Sequence, residues 1–268
     1  MAAERRSVYR HAFTTRMAHW LWAACLFFLL LSGLQIFTAH PTLYIGNQSG
    51  FSFNNSVFSI GAFYQGSEMK GILSFGGMQF DTTGWLGAVE EQGRLVAKTF
   101  PGWLTIPSYR DLATGRVVHF FFAWLLVATL LLWFVASVFN RHISRDLVPR
   151  GDDFRSLGQD VVDHARLNFH KRSSYGPLQK MTYFGVLFVA MPLMVATGLT
   201  MSPGMNAALP FLADLFGGRQ TARTLHFVIM LFLVGFFAIH IIMVLLSGPI
   251  SSLRAMITGW SSVEQEKP

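Results

Sequence analysis

Four stretches of this chain are nearly unbroken runs of apolar residues, and the segments between them are not. The runs cover about residues 17–37, 117–139, 178–201 and 225–246. Each matches the roughly 20 residues that a helix needs to cross a bilayer core, and each is too long for a strand. The pattern predicts an all-α integral membrane protein: a bundle of four transmembrane helices forming one domain over residues 1–268. Between the first two runs, in residues 39–115, helical periodicity is lost. Pieces such as Gly76-Gly77-Met78-Gln79-Phe80-Asp81 and Gly84-Trp85-Leu86-Gly87 predict short strands and turns there. A structureless loop of that length is uncommon, so a small folded cap is expected. Cover for the helices and a docking face for a partner are both open readings of it.

Composition narrows the class further. Hydrophobic residues make up 52% and charged residues 13%, against about 25% charged in an ordinary soluble domain. That excludes a soluble enzyme and a disordered chain. The net charge of +7 could suggest nucleic acid, so its placement decides. Arg5, Arg6, Arg10 and Arg16 precede the first run, and Arg141, Arg145, Arg150, Arg155, Arg166, Lys171, Arg172 and Lys180 cluster between the second and third. In residues 39–115 the four basic residues Lys70, Arg94, Lys98 and Arg110 are balanced by five acids. By the positive-inside rule both termini and the 140–177 loop are cytoplasmic, and the 39–115 loop lies outside. Headgroup contact explains the basic loop without nucleic acid. The first run, flanked by arginines, mimics a signal peptide, but no small-x-small cleavage site follows it, which predicts a retained anchor. The single cysteine, Cys25, excludes a disulfide framework, a Cys-based zinc or iron–sulfur site, and covalent c-type haem attachment.

Of nine histidines, His19, His119, His226 and His240 fall in or at the rim of the runs. An ionisable group inside a span is costly and is by default a functional candidate. His226 and His240 are fourteen residues apart on one run, so on a helix they lie within about 40° of one face and about 21 Å apart along it. Span direction puts His119 at the depth of His226, and His19 at the depth of His240. Two pairs follow, His119 with His226 and His19 with His240, each suited to bis-imidazole ligation of a non-covalent haem b. Zinc would need three or four ligands converging at one depth. The remaining histidines, His11, His40, His142, His164 and His170, are expected at the surface.

An arginine precedes three of these histidines by three residues, at Arg16, Arg116 and Arg223. Such an arginine shares a helix face with the histidine and could contact a haem propionate; the alternative is snorkelling to the interface. A faint repeat is also visible. Spans two and four begin Arg-x-x-His-Phe, and spans one and three end in Ser32-Gly33-Leu34 and Thr197-Gly198-Leu199. The glycines could admit close helix or porphyrin approach. Pro192 should kink the third helix.

These residues resemble the diheme cytochrome b subunits of bacterial respiratory oxidoreductases, the family of formate dehydrogenase gamma, the nickel–iron hydrogenase b-type cytochrome and thiosulfate reductase cytochrome b. The resemblance rests on Arg16-x-x-His19-Trp20, on one histidine in span two, and on the spacing of His226 and His240. The stretches Ser32–Pro41 and Gly176–Lys180 are most similar to the thiosulfate-reductase branch. The resemblance implies the same two histidine pairs, quinone near the inner haem and, in that branch, a periplasmic molybdopterin oxidoreductase as partner. The 39–115 loop is longer than that of the formate dehydrogenase subunit. The expected function is electron transfer between quinone and the partner, with two haems b, exchangeable quinone and no catalytic residues. Gln179 and Tyr183, beside Arg16, His19 and Trp20, are candidate quinone contacts, or else interface anchors. Two competing readings predict different things. A partner-free, b561-like oxidoreductase acting on superoxide or oxygen needs an open outer funnel, and a haemless transporter or assembly factor has no visible absorption.

Overall fold

The computed structural model describes residues 5–9, 11–168 and 175–264. Glu4, Arg10, His170, Lys171 and Arg172 lie outside the described residues, as do the side chains of Arg5 and Arg6. In chain order, strand β1 (Arg5–Tyr9) leads to helix α1 (Phe13–Phe37), followed by strands β2 (Thr42–Tyr44), β3 (Ser56–Gln65), β4 (Glu68–Phe75), β5 (Met78–Asp81), β6 (Gly87–Glu91) and β7 (Arg94–Lys98). Helix α2 (Leu112–Phe139) and a π-helical turn (Ile143–Leu147) precede α3 (Gly151–Ala165) and α4 (Pro177–Phe184). A second π-helical stretch (Gly185–Ala190), α5 (Met191–Met201), α6 (Pro203–Ala208), α7 (Phe211–Leu215), α8 (Arg219–Leu246), α9 (Pro249–Thr258) and β8 (Trp260–Glu264) complete it.

Among the described residues, four helices are long and apolar enough to cross a membrane: α1, α2, the continuous run Pro177–Met201, and α8. Their apolar side chains point outward, with Leu132 70%, Phe139 83%, Ile239 63% and Leu245 60% exposed. Such a surface is stable only against lipid. Helix α2 starts before its apolar run because a polar residue caps its first turn. At α2, Asp111 accepts the Thr114 N–H at 3.1 Å and its hydroxyl at 2.7 Å, satisfying amides that a helix start leaves unpaired. Pro192 has no N–H to continue the helical ladder, and the π-helical stretch Gly185–Ala190 ends two residues before it.

The chain divides into two compact units. One comprises residues 1–22, 128–192 and 231–268; the other comprises 23–127 and 193–230. In the second, the 39–115 segment folds as expected into strands. Its four-stranded antiparallel sheet has the order β2-β3-β4-β5, and β6-β7 form a separate hairpin. The β4–β5 hairpin pairs Phe75 with Met78 around Gly76-Gly77, both at positive φ, the geometry that a tight two-residue hairpin turn requires. The sheet has a real core: Phe37, Leu43, Ile60 and Phe100 are buried, with Phe58, Leu73, Leu86 and Phe227 against them. The cap is therefore seated on side chains of α1 and α8.

In the first unit, the 140–177 connection is more structured than its polarity suggests. Helix α3 docks through its acidic residues: Asp153 takes Lys180 Nζ at 2.9 and 3.0 Å, and Asp160 accepts the Leu178 N–H at 3.0 Å. Burial pushes the Asp153 carboxyl up, but the Arg150 N–H and the Lys180 ammonium outweigh it and hold the group below the usual carboxylate range. A depressed carboxylate contributes stability above its unfolded pKa of about 4 and loses it as pH falls through the lower folded value. Hydrogen exchange should therefore show α3 amides protected at neutral pH and progressively released below about pH 4, before the long helices open. Strands β1 and β8 pair antiparallel and close the termini on each other, a long-range contact with no local signal.

Candidate functional site

The four span histidines meet in two pairs, one inside each unit. In the second unit the His119 and His226 ring centroids are 6.5 Å apart at 61°. In the first, those of His19 and His240 are 6.3 Å apart at 54°. Two imidazole nitrogens that each reached a metal at about 2.0 Å would put their ring centres roughly 6 Å apart, so each pair could hold one metal centre between its rings.

The hydrogen bonds of the first pair define which nitrogen is available. Ser32 Oγ donates to the Phe28 carbonyl at 2.6 Å and so has a lone pair for the His119 Nδ1–H, 3.1 Å away. Thr197 Oγ1 donates to the Leu193 carbonyl at 2.7 Å and likewise faces His226 Nδ1 at 3.0 Å, which the Met194 carbonyl also approaches at 3.1 Å. Both imidazoles are thus held as the Nδ1–H tautomer, with the Nε2 lone pair free for a metal. Room for the rings comes from the next residue in each case. A Cβ on Gly33 would stand 3.2 Å from His119 Cε1, and one on Gly198 3.4 Å from His226 Cε1. The Ser-Gly-Leu and Thr-Gly-Leu repeat is therefore a hydroxyl that orients a histidine followed by a glycine that admits it. Sequence reasoning found the glycines and missed Ser32 and Thr197 as positioning residues; the repeat itself carried the signal.

The other pair is framed by aromatic rings. His19 stands edge-on to Trp20 at 5.2 Å, and His240 stacks on Phe236 at 5.9 Å. His19 Nδ1 is buried without a hydrogen-bond partner, a polar atom that a bound group or its propionate could satisfy. Among the described residues no group of three or more His, Cys, Asp or Glu could hold a metal ion.

The arginines have different surroundings. Arg223 donates to the Thr42 carbonyl at 3.0 Å and to that of His40, and its guanidinium lies over Phe37 at 5.6 Å. Arg16 donates to the Ile257 carbonyl, while Arg116 is exposed over Phe120. Gln179 closes the start of α4, its Oε1 accepting the Gly176 N–H at 3.2 Å. Tyr183 lies with Ala18, Trp22, Trp133 and Leu147 in an apolar cluster. The surface expectation fails for His142 and His164, which are 19% and 22% exposed. His142 pairs with Asp146 at 2.7 Å and His164 with the Asp160 carbonyl at 2.7 Å. His40, at the cap, is exposed as expected and hydrogen-bonded to Tyr44. Partial burial, and then the Arg223 charge, push its pKa down.

The fold and histidine geometry can be set beside known proteins. A protein of Azospira oryzae named as protein-methionine-sulfoxide reductase subunit YedZ1 is 30% identical over 144 residues, which cover 53% of this chain and 69% of that relative. No solved structure matches. The model of the prokaryotic cytochrome b561 family matches residues 10–259. Nearly the whole chain is covered, all four membrane helices with it, and the protein belongs to the prokaryotic cytochrome b561 family.

Proposed function

We propose that the chain is a diheme electron carrier of the bacterial inner membrane, linking the quinone pool to a partner oxidoreductase outside. The observation that carries the reading is the pair of facing imidazoles in each unit, set at the spacing of a bis-histidine site. His119 and His226 would hold one haem b, and His19 and His240 the other. When bound, each haem supplies a one-electron iron centre; the chain supplies everything else. Ser32 and Thr197 fix the tautomers, Gly33 and Gly198 admit the rings, and the apolar helices exclude water. Arg16, Arg116 and Arg223 are the nearest candidates for propionate contacts, each one turn from a ligand. Family membership supports haem b as the group.

The relative's name, a subunit of a methionine-sulfoxide reductase, supports a partner-dependent carrier over a partner-free oxidoreductase. The resemblance of Ser32–Pro41 to the thiosulfate-reductase branch points to the same kind of partner, a periplasmic molybdopterin enzyme. The basic clusters favour cytoplasmic termini, which puts the cap on the periplasmic side as the docking face. Its surface aromatics fit that use: Tyr64 is 71% exposed and Trp85 73%. Quinone is assigned to the end of His19 and His240, near Tyr183.

The experiment separates the two ends. The chain, reconstituted in lipid nanodiscs without oxygen, should be reduced by short-chain quinols. The double variant Tyr64→Glu with Trp85→Glu should keep that reduction while electron exchange with the partner slows about tenfold or more, as expected when an interface anchor is lost. Loss of quinol reduction with normal haem content would put quinone at the cap and overturn the assignment.

A further inference from the structure

Beyond the two histidine pairs, the unused polar groups of the first unit gather around Trp133. This tryptophan is 7% exposed, and its indole Nε1 is buried with no hydrogen-bond partner. Leaving a buried donor unpaired is costly, so the position calls for an acceptor. The neighbouring tryptophan does not share the problem: Trp22 donates its own N–H to Thr129 Oγ1 at 3.1 Å. Trp22 stands edge-on to Trp133 at 5.4 Å and 76°. It also lies three residues after His19, on the same face of α1. The surrounding cluster brings in Tyr183, Leu187 and Phe188 from the third span, with Ile143 and Leu147 from the π-helical turn.

His142 completes the set. Its ring is edge-on to Trp133 at 6.3 Å and 88°. Its Nδ1 is 2.7 Å from Asp146 Oδ2, and Asp146 is itself held by Arg145 Nε and Nη2 at 3.0 and 2.9 Å. With the Nδ1–H committed to a carboxylate, the imidazole is oriented and its Nε2 is left as a base, the arrangement general-base histidines use. The Asp146 carboxyl is held below the usual carboxylate range, first by Arg145 and against its own partial burial, so it stays an anionic acceptor for the His142 ring.

A buried unpaired donor, flat aromatic walls and an oriented base match one ligand class: an aromatic headgroup that bears a carbonyl acceptor in one state and a hydroxyl in the other. We propose that Trp133 Nε1–H donates to a quinone carbonyl, and that His142, oriented by Asp146, takes the proton of the quinol hydroxyl. In that step the O–H bond breaks, its electron pair stays on oxygen, and an N–H bond forms at Nε2. The inference rests on the quinone assignment above and moves its polar contacts. Gln179, which is committed to the start of α4, gives way to Trp133 and His142, while Tyr183 stays as a wall.

Three proteins test it as haem-loaded chains in nanodiscs: wild type, Trp133→Phe and His142→Gln. Binding of ubiquinone-1 and menadione is measured by equilibrium dialysis, and proton transfer by the solvent deuterium effect on the rate of reduction by the corresponding quinols. Trp133→Phe removes the N–H while keeping an aromatic ring at the position, and should weaken quinone binding about tenfold with haem content and absorption unchanged. His142→Gln should bind quinone normally but be reduced slowly, with recovery when imidazole is added. Unchanged affinity in Trp133→Phe overturns the proposal, and so does loss of haem in that variant, which would assign the N–H to the haem site. Reduction of His142→Gln at the wild-type rate removes His142 from it. Absence of quinone binding in all three, wild type included, would instead overturn the quinone reading itself.

Discussion

Purified His226→Ala protein is expected to retain one haem b where the wild type is expected to hold two, and His240→Ala is expected to lose the other one. The two ligands share helix α8 but belong to different units, each with its own partner ring: His119 at 6.5 Å and His19 at 6.3 Å. Removing one imidazole would leave only one of the two histidines proposed to hold that haem, and opens a hole the size of the ring, with a cavity cost of a few kcal/mol. The other pair keeps both its ligands. Each variant should therefore show about half the wild-type haem absorbance with a low-spin bis-histidine spectrum remaining. The survivors should differ in their response to quinol, because the haem left in His226→Ala is the one assigned to the quinone end. If both variants lose the same haem, the pairing is wrong.

Substitution of Gly33 should have an effect nearly as large without touching a ligand. Its Cβ position lies 3.2 Å from His119 Cε1, closer than ordinary van der Waals contact. Alanine requires the ring to move by a few tenths of an ångström, which the Ser32 hydrogen bond at 3.1 Å resists but can follow. Leucine adds atoms beyond Cβ where the imidazole already stands, and overpacking of this kind costs about 1–3 kcal/mol or displaces the side chain. Gly33→Ala should therefore keep both haems with a shifted potential at one. Gly33→Leu should lose the His119–His226 haem and keep the His19–His240 haem. Retention of two unperturbed haems in Gly33→Leu would mean that His119 does not face this helix as described.

The membrane helices and the histidine pairing were legible in the sequence because both rest on short-range regularities. An apolar run of bilayer length has one reading, and fourteen residues on a helix return nearly to the same face. The Gly76-Gly77 turn was legible for a similar reason, since few residues other than glycine adopt positive φ twice in succession. What could not be read depended on partners far along the chain. The docking of α3 needs Asp153 and Asp160 to meet Lys180 and the Leu178 amide, so a polar stretch that resembles a loop becomes a fixed helix. The pairing of β1 with β8 joins residues more than 250 positions apart. His142 was read as a surface residue because its neighbours are polar, yet the aromatic edge of Trp133 and the Asp146 carboxylate shelter it. Ser32 and Thr197 look like ordinary small residues of a membrane helix until the imidazole Nδ1 atoms are placed against them.

If the facing histidines make this chain a carrier of two haems, its haem stoichiometry must show it. Haem b per polypeptide, measured by the pyridine haemochrome of the purified full-length chain against its amino-acid analysis, should be about two, with both haems acid-extractable and low-spin. One haem per chain, or none, in protein whose helical content is intact would contradict it.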